Sequence, residues 1–511
     1  MAQRKLGLRE LGAGPAANFK MGNAYLEQGK LDEALKEFQA VLRQNPSMTA
    51  ALIRLGDVHL AQRRLDEALG SYQSALRANP KLPACHLKLG NLYAAQSKPA
   101  EAEAAYREAL RLDPNMAAAH FKLGALQIER EEYADGIVSL ETAVGLNPQL
   151  LYAHLKIGDA YLEQEDYATA VQKYREVLDF DPKQAIAHVK IGDVALRRQQ
   201  LGDALASYRE ALGLDPALAI AYIRIGDVFA QEGRHEDAVA EYQRALSLKA
   251  KREVVFLGQI RLGKALMERK QMPAAIAAYE AAIALNGGIA GLHMKLGTAY
   301  ASESRHADAL RAFDAAIRLS PESAQLHLRR GTALIELGRR PEALPALAEA
   351  VRLDAGLAMA HVKMGEIYLQ EGREDDALAA FRAALKANAK LAAAHLGVGD
   401  IHFARNEQDA AMEAYRAAVR ADAKNVHAHV RLGDLFALKK QASAARAEYQ
   451  ASIRLDSGNA VAHVGLGRLY RAEGKEPEAL GEFRAALEIE PESAEAREGV
   501  AQLERAGAGG A

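Results

Sequence analysis

A glycine recurs every 34 residues along almost the whole chain, at Gly22, Gly56, Gly90, Gly124, Gly158, Gly192 and Gly226, then at Gly263, Gly297, Gly331, Gly365, Gly399, Gly433 and Gly467. Only the step from Gly226 to Gly263 departs from the period, at 37 residues. No other feature constrains the fold as strongly. A period of this length makes the repeat the unit of structure, with contacts running between neighbours along one dimension. A chain of 511 residues would otherwise suggest about three domains. A chain that is repeat from end to end leaves no room for a separate catalytic domain, so the expectation is a binding protein.

With each glycine placed at position 8 of its repeat, other positions fall into line. Position 20 is Ala in thirteen repeats, from Ala34 and Ala68 to Ala445 and Ala479, and Gly136 is the exception. Position 24 is aromatic in twelve, Phe38, Tyr72, Tyr106, Tyr174, Tyr208, Tyr242, Tyr279, Phe313, Phe381, Tyr415, Tyr449 and Phe483, with Leu140 and Leu347 in the others. Pro46, Pro80, Pro114, Pro148, Pro182, Pro216, Pro321 and Pro491 stand at position 32. Within one repeat the apolar residues fall at helical spacing, as in Ile157 and Tyr161, then Tyr167, Ala170, Val171 and Tyr174, which gives two helices, A and B. Small residues at 8 and 20 let these helices approach, and the proline ends helix B. A single hairpin cannot bury its apolar face alone, so stacked neighbours make the core.

Gly at 8, Ala at 20, an aromatic at 24, a small residue or Val at 27 and Pro at 32 resemble the tetratricopeptide repeat, over fourteen consecutive repeats covering residues 15–493. The resemblance implies an all-α fold, a right-handed superhelical solenoid of helix-turn-helix repeats, whose concave groove takes a protein or peptide partner. The expected organisation is an N-terminal arm at 1–14, repeats 1–7 at 15–248, an irregular junction at 249–255, repeats 8–14 at 256–493, a capping helix at 494–505 and a flexible tail at 506–511. In the arm, Leu6, Leu8 and Leu11 either cover the first helix or reach another protomer. At the junction Lys249, Ala250, Lys251 and Arg252 replace the usual Asp-Pro turn, as an extended turn or as a hinge. Repeats 10–13 carry Ala355, Ala389, Ala423 and Ser457 in place of proline, which predicts a C-terminal half that opens more readily.

Composition excludes several function classes. Lys plus Arg (65) nearly balances Asp plus Glu (67), unlike the basic face of a nucleic-acid binder. Cys85 is the only cysteine, so no intrachain disulfide forms. The N-terminus MAQRKLGLREL has no apolar signal region, and no run approaches 18 apolar residues, so a cytoplasmic location without membrane insertion is expected.

Candidate chemistry is sparse. Histidines line position 4 (His86, His120, His154, His188, His293, His327, His361, His395, His429, His463), one per repeat, too dispersed for a metal that needs about four ligands around one point. Gly258-Gln-Ile-Arg-Leu-Gly263-Lys264-Ala265 nearly spells a phosphate-binding loop but has Ala265 where Ser or Thr must stand. No catalytic, cofactor-binding or metal site is expected.

The resemblance places positions 2, 5, 6, 9, 12 and 13 of helix A on the concave groove. Position 6 is basic in twelve repeats, position 9 is often acidic and position 5 is apolar in all. Two family precedents do not carry over. The carboxylate clamp that holds chaperone C-termini needs Lys at 5, which never occurs here. The asparagine ladder at position 6 in the O-linked N-acetylglucosamine transferase superhelix is replaced by Lys or Arg, so that likeness supports shape and not activity. Two compatible readings remain for the charges. In one, Lys at 6 and Asp at 9 pair within a helix as i,i+3 neighbours worth roughly 0.2–0.5 kcal/mol each. In the other, the cations meet carboxylates of a bound segment lying on an apolar stripe. The most regular pattern, in repeats 3–7, makes Lys88, Lys122, Lys156, Asp159, Lys190, Asp193, Arg224 and Asp227 the candidate partner-binding residues. The expected function is a non-catalytic scaffold or adaptor without cofactors. The alternatives are a self-assembling structural protein, hence a possible homo-oligomer, or an accessory subunit of an enzyme complex.

Overall fold

The computed structural model describes residues 14–509, and side chains up to residue 505. The described residues form 29 α-helices and no strand, as the all-α repeat expectation requires. Each repeat supplies one helix A and one helix B. In repeat 5 these are Leu151–Glu163 and Tyr167–Phe180, and in repeat 6 Ala185–Arg197 and Leu201–Leu214. The chain divides into two compact bodies, one ending at Val254 and the other starting at Val255. Within each body helices pack in sequence order, A on its own B and B on the next A.

The periodic glycine has a sharper role than close approach of two backbones. A Cβ on Gly192 would come 2.5 Å from the ring of Tyr208, and one on Gly297 would come equally close to Phe313. The ring at position 24 therefore lies flat against helix A where only a hydrogen fits. Tyr208 and Ala204, at position 20, are wholly buried. Replacing the glycine would force this ring to move, which costs about 1–3 kcal/mol, more than the ~1 kcal/mol of helix propensity gained.

The connections repeat as strictly as the helices. Helix A ends with position 15 in the left-handed region. In repeat 5 Glu165 has φ 60°, its N–H bonds to Leu162 O at 3.1 Å, and the next N–H, of Asp166, reaches back to Tyr161 O at 2.9 Å. Gly29, Gly233, Gly338, Gly372 and Gly474 meet this demand without strain, but nine repeats place a side chain there. After helix B the position-31 carboxylate or amide caps the turn, as Asp181 Oδ1 accepts from Lys183 N at 3.1 Å. The position-4 histidine then reaches back six residues, His120 Nε2 lying 2.9 Å from Pro114 O and His395 Nε2 3.0 Å from Ala389 O. The second contact shows that the loop carbonyl is held even where proline is missing.

Two boundaries differ from expectation. Of residues 249–255, Arg252 onward is helical, because helix A of repeat 8 runs Arg252–Glu268 and absorbs the inserted length. At the other end the helix Ala494–Gly509 runs into the expected tail. Its Ala496 and Leu503 are buried against Phe483, as a terminal cap requires. The arm residues Leu6, Leu8 and Leu11 lie outside the described residues.

Candidate partner-binding face

Helices A present positions 2, 6 and 9 on one face. Position 5 joins them only in part. Leu155, Val189, Ile223, Val362, Val430 and Val464 are all buried, since each is covered by the neighbouring repeat. The expected apolar stripe is therefore core in these repeats, while Phe121, Met294 and Leu396 stay half-buried.

The charges at 6 and 9 form a ladder between repeats rather than pairs within a helix. Lys88 Nζ lies 2.8 Å from Asp57, Lys190 Nζ 2.9 Å from Asp159 and Arg224 Nε 2.9 Å from Asp193. In the C-terminal body Arg431 Nε lies 3.1 Å from Asp400. In each case the cation reaches the aspartate of the preceding repeat, 31 residues earlier. Only the longer guanidinium also spans i,i+3, Arg224 to Asp227 at 3.3 Å and Arg54 to Asp57 at 3.4 Å. The same aspartate accepts from the tyrosine at position 24 of its own repeat, Asp159 from Tyr174 at 2.8 Å, Asp193 from Tyr208 at 2.9 Å and Asp227 from Tyr242 at 2.9 Å. The ladder thus joins helix A, helix B and the next helix A.

Burial shapes its electrostatics. Loss of solvent pushes the Asp193 carboxyl up, against the pull of Arg224 and the Tyr208 hydroxyl. Burial, the aspartate charge and its hydrogen bond hold Tyr174 and Tyr208 far above an ordinary phenol. The hydroxyls are fixed as donors and the carboxylates as acceptors.

The ladder is interrupted in repeats 3 and 4. Position 9 is Asn91, which accepts from Tyr106 at 3.0 Å, and then Ala125, opposite Leu140. The cations that would have answered, Lys122 and Lys156, make no ion pair among the described residues. Lys122 is exposed, its Nζ 5.8 Å from the ring centre of Phe121. Lys156 lines a cavity of about 390 Å³ with Phe121, Leu150, Leu151 and Tyr152. Tyr152, at position 2, is 72% exposed. The corresponding place in repeats 12–14 holds a cavity of about 490 Å³ lined by Leu396, His427, Val430 and Val461, but there Arg431 is bound to Asp400. The first cavity therefore offers an apolar wall and an unneutralised ammonium, and the second offers a neutral pair.

Of the eight candidate residues, Lys88, Asp159, Lys190, Asp193, Arg224 and Asp227 belong to the ladder, and Lys122 and Lys156 stand outside it. The sequence reading missed the tyrosine hydroxyls and Tyr152. The signal for the first was available, because every Asp at position 9 shares its repeat with a Tyr at 24.

The other candidates resolve locally. Among the described residues no group of three His, Cys, Asp or Glu side chains could hold a metal ion. Gly258 to Ala265 lies within a helix rather than a loop. Cys85 is buried, and burial, eased by Lys88, pushes its thiol up to about 11. It is therefore expected to resist a disulfide reagent at about pH 8 until the chain unfolds. No described helix is long and apolar enough to cross a membrane.

Family models agree with this architecture. The tetratricopeptide repeat family model matches residues 19–83, 87–150 and 189–253, and a second model of the same repeat matches 158–197. The C-terminal domain of cilia and flagella-associated protein 70 matches 248–464. No curated protein sequence matches the chain. Among solved structures, the APC/C hetero-tetramer Cut9-Hcn1 aligns over 96% of both chains at 14% identity and a TM-score of 0.44. A tetratricopeptide repeat protein from Parabacteroides merdae aligns over 50% of this chain and 100% of its own, at 21% identity and a TM-score of 0.43. YrrB, described as having an unusual peptide-binding site, aligns over 37% of this chain and 95% of its own, at 23% identity and a TM-score of 0.33.

Proposed function

This chain belongs to the tetratricopeptide repeat family, and we propose that it acts as a non-catalytic, cytoplasmic scaffold that holds a segment of a partner protein against the helix-A face of repeats 3–7. One observation carries the reading. Lys122 and Lys156 lack the aspartates that neutralise Lys88, Lys190 and Arg224, and Lys156 borders an apolar cavity beside the exposed Tyr152. The segment places a bulky apolar side chain in the cavity and carboxylates on the two ammonium groups. Lys88, Asp159, Lys190, Asp193, Arg224 and Asp227 keep the face rigid on either side, so little ordering cost falls on binding. Affinity grows from several weak contacts along a preformed surface.

Selection from a displayed random-peptide library against the full chain tests this. The enriched peptides are expected to carry an acidic residue next to an aromatic or large aliphatic one. Their binding should fall about tenfold in the Lys122→Gln/Lys156→Gln variant, the loss of two charge contacts beside an apolar site. Enriched peptides without acidic residues, or unchanged binding in that variant, would overturn the assignment.

A further inference from the structure

The C-terminal body contains a longer gap of the same kind. In repeats 8–11 position 9 is Lys264, Thr298, Thr332 and Glu366, so no aspartate waits for the cation of the next repeat. Lys295, Arg329 and Lys363 still occupy position 6. Lys264 is exposed and the other three are half-buried, and none of the four makes an ion pair among the described residues. Two details set this stretch apart from a run of ordinary surface charges. The hydroxyl of Tyr279 is buried with no hydrogen-bond partner, and its own position 9 is Lys264 where every ladder tyrosine finds Asp or Asn. The threonines bond to their own helices, Thr298 Oγ1 donating to Met294 O and Thr332 Oγ1 to Leu328 O at 2.9 Å, and bring no charge to answer the cations. The carboxylates on the same helices, Glu253, Glu268, Glu336 and Glu366, form no ion pair with the four cations.

We propose that Lys264, Lys295, Arg329 and Lys363 form a second binding track, for an acidic peptide segment that lays one carboxylate near each cation in successive repeats. Charge complementarity selects the occupant. Four unneutralised cations on consecutive helices A lower the free energy of a polyanionic strand. The proposal does not depend on the site at Lys122 and Lys156. If both hold, the chain can carry two partner segments at once, an apolar-acidic one on the N-terminal body and a polyacidic one on the C-terminal body.

Fluorescence anisotropy of a labelled ten-glutamate peptide with the full chain tests the track, with a ten-serine peptide as control. Each contact is worth roughly twofold to threefold. The Lys264→Gln/Lys295→Gln/Arg329→Gln/Lys363→Gln variant should therefore bind about thirtyfold more weakly, ~2 kcal/mol. It should also lose most of the salt dependence. Its melting temperature should hold, because no ion pair is removed. The single variants Lys295→Gln and Lys363→Gln should each weaken binding about twofold to threefold and serve if the quadruple variant is unstable. Lys122→Gln/Lys156→Gln should weaken this binding far less than the quadruple variant does. Equal binding by wild type and quadruple variant would overturn the proposal, as would binding of a single-stranded oligonucleotide in preference to the glutamate peptide.

Discussion

Repeats 5–7 and repeats 9–11 have helices of nearly the same length and the same packing of position 24 on the glycine, yet their helix-A faces are built on different chemistry. In repeats 5–7 each face carries Asp159, Asp193 or Asp227, held by a tyrosine hydroxyl from helix B, and the first two take the cation of the following repeat. In repeats 9–11 position 24 is Phe313, Leu347 or Phe381, none with a hydroxyl, and the cations go unanswered. The core explains why the second arrangement folds at all. Repeats 8–11 share a continuous apolar cluster from Ile276 to Ile367, so stacking does not require the polar ladder. The ladder is thus an addition that neutralises a face, and its absence leaves charge available to a partner.

The largest consequence concerns local opening. Repeats 10 and 11 lack both the ladder and the loop proline. Each missing proline gives up roughly 0.4–1 kcal/mol and each missing buried triad about 1–3 kcal/mol. Amide exchange in repeats 9–11 should therefore be roughly a hundredfold faster than in repeats 5–7. Slower exchange there would break the comparison. A single substitution sharpens it. Asp193→Ala strands the Tyr208 hydroxyl and leaves Arg224 only its contact to Asp227, and should cost about 2 kcal/mol. Thr298→Ala at the same position of repeat 9 should stay within about 0.5 kcal/mol, read by urea denaturation.

The tyrosines give a change of sign. Tyr208→Phe removes a satisfied hydroxyl and should lose about 1 kcal/mol. Tyr279→Phe removes a buried hydroxyl with no partner and should be neutral or stabilising by up to about 1 kcal/mol. Equal losses at both positions would show that the orphaned hydroxyl is satisfied after all. The smallest effect lies in the A–B turns, which both regions share. Glu165→Gly relieves a left-handed backbone and should gain about 0.5–1 kcal/mol, and Gly372→Glu should lose a similar amount.

Much of this was legible in the sequence. The glycine period, Ala at 20 and the aromatic at 24 define the hairpin because each answers a close contact within one repeat. Other features depend on neighbours. Position 5 has the same helical spacing as the exposed positions, and only the next repeat decides that Val189 and Ile223 are buried. The left-handed turn at position 15 leaves little trace, since Arg63, Glu165 and Gln199 occupy it as readily as glycine. The cations at position 6 were visible, but their partners lie 31 residues upstream, where i,i+3 reasoning does not look. The co-occurrence of Asp at 9 with Tyr at 24 carried that information, as did the basic residue that follows in the next repeat after every such Asp but Asp434.

The central claim is that a cation with an upstream aspartate builds the protein, while one without it binds the partner. Reductive ¹³C-methylation gives each lysine its own NMR signal, and titration with the ten-glutamate peptide and with a library-selected acidic-aromatic peptide tests the claim directly. The account predicts that Lys264, Lys295 and Lys363 shift with the first peptide and Lys122 and Lys156 with the second, while Lys88 and Lys190 stay still. Shifts at Lys88 and Lys190 as large as those at the unpaired lysines would contradict it.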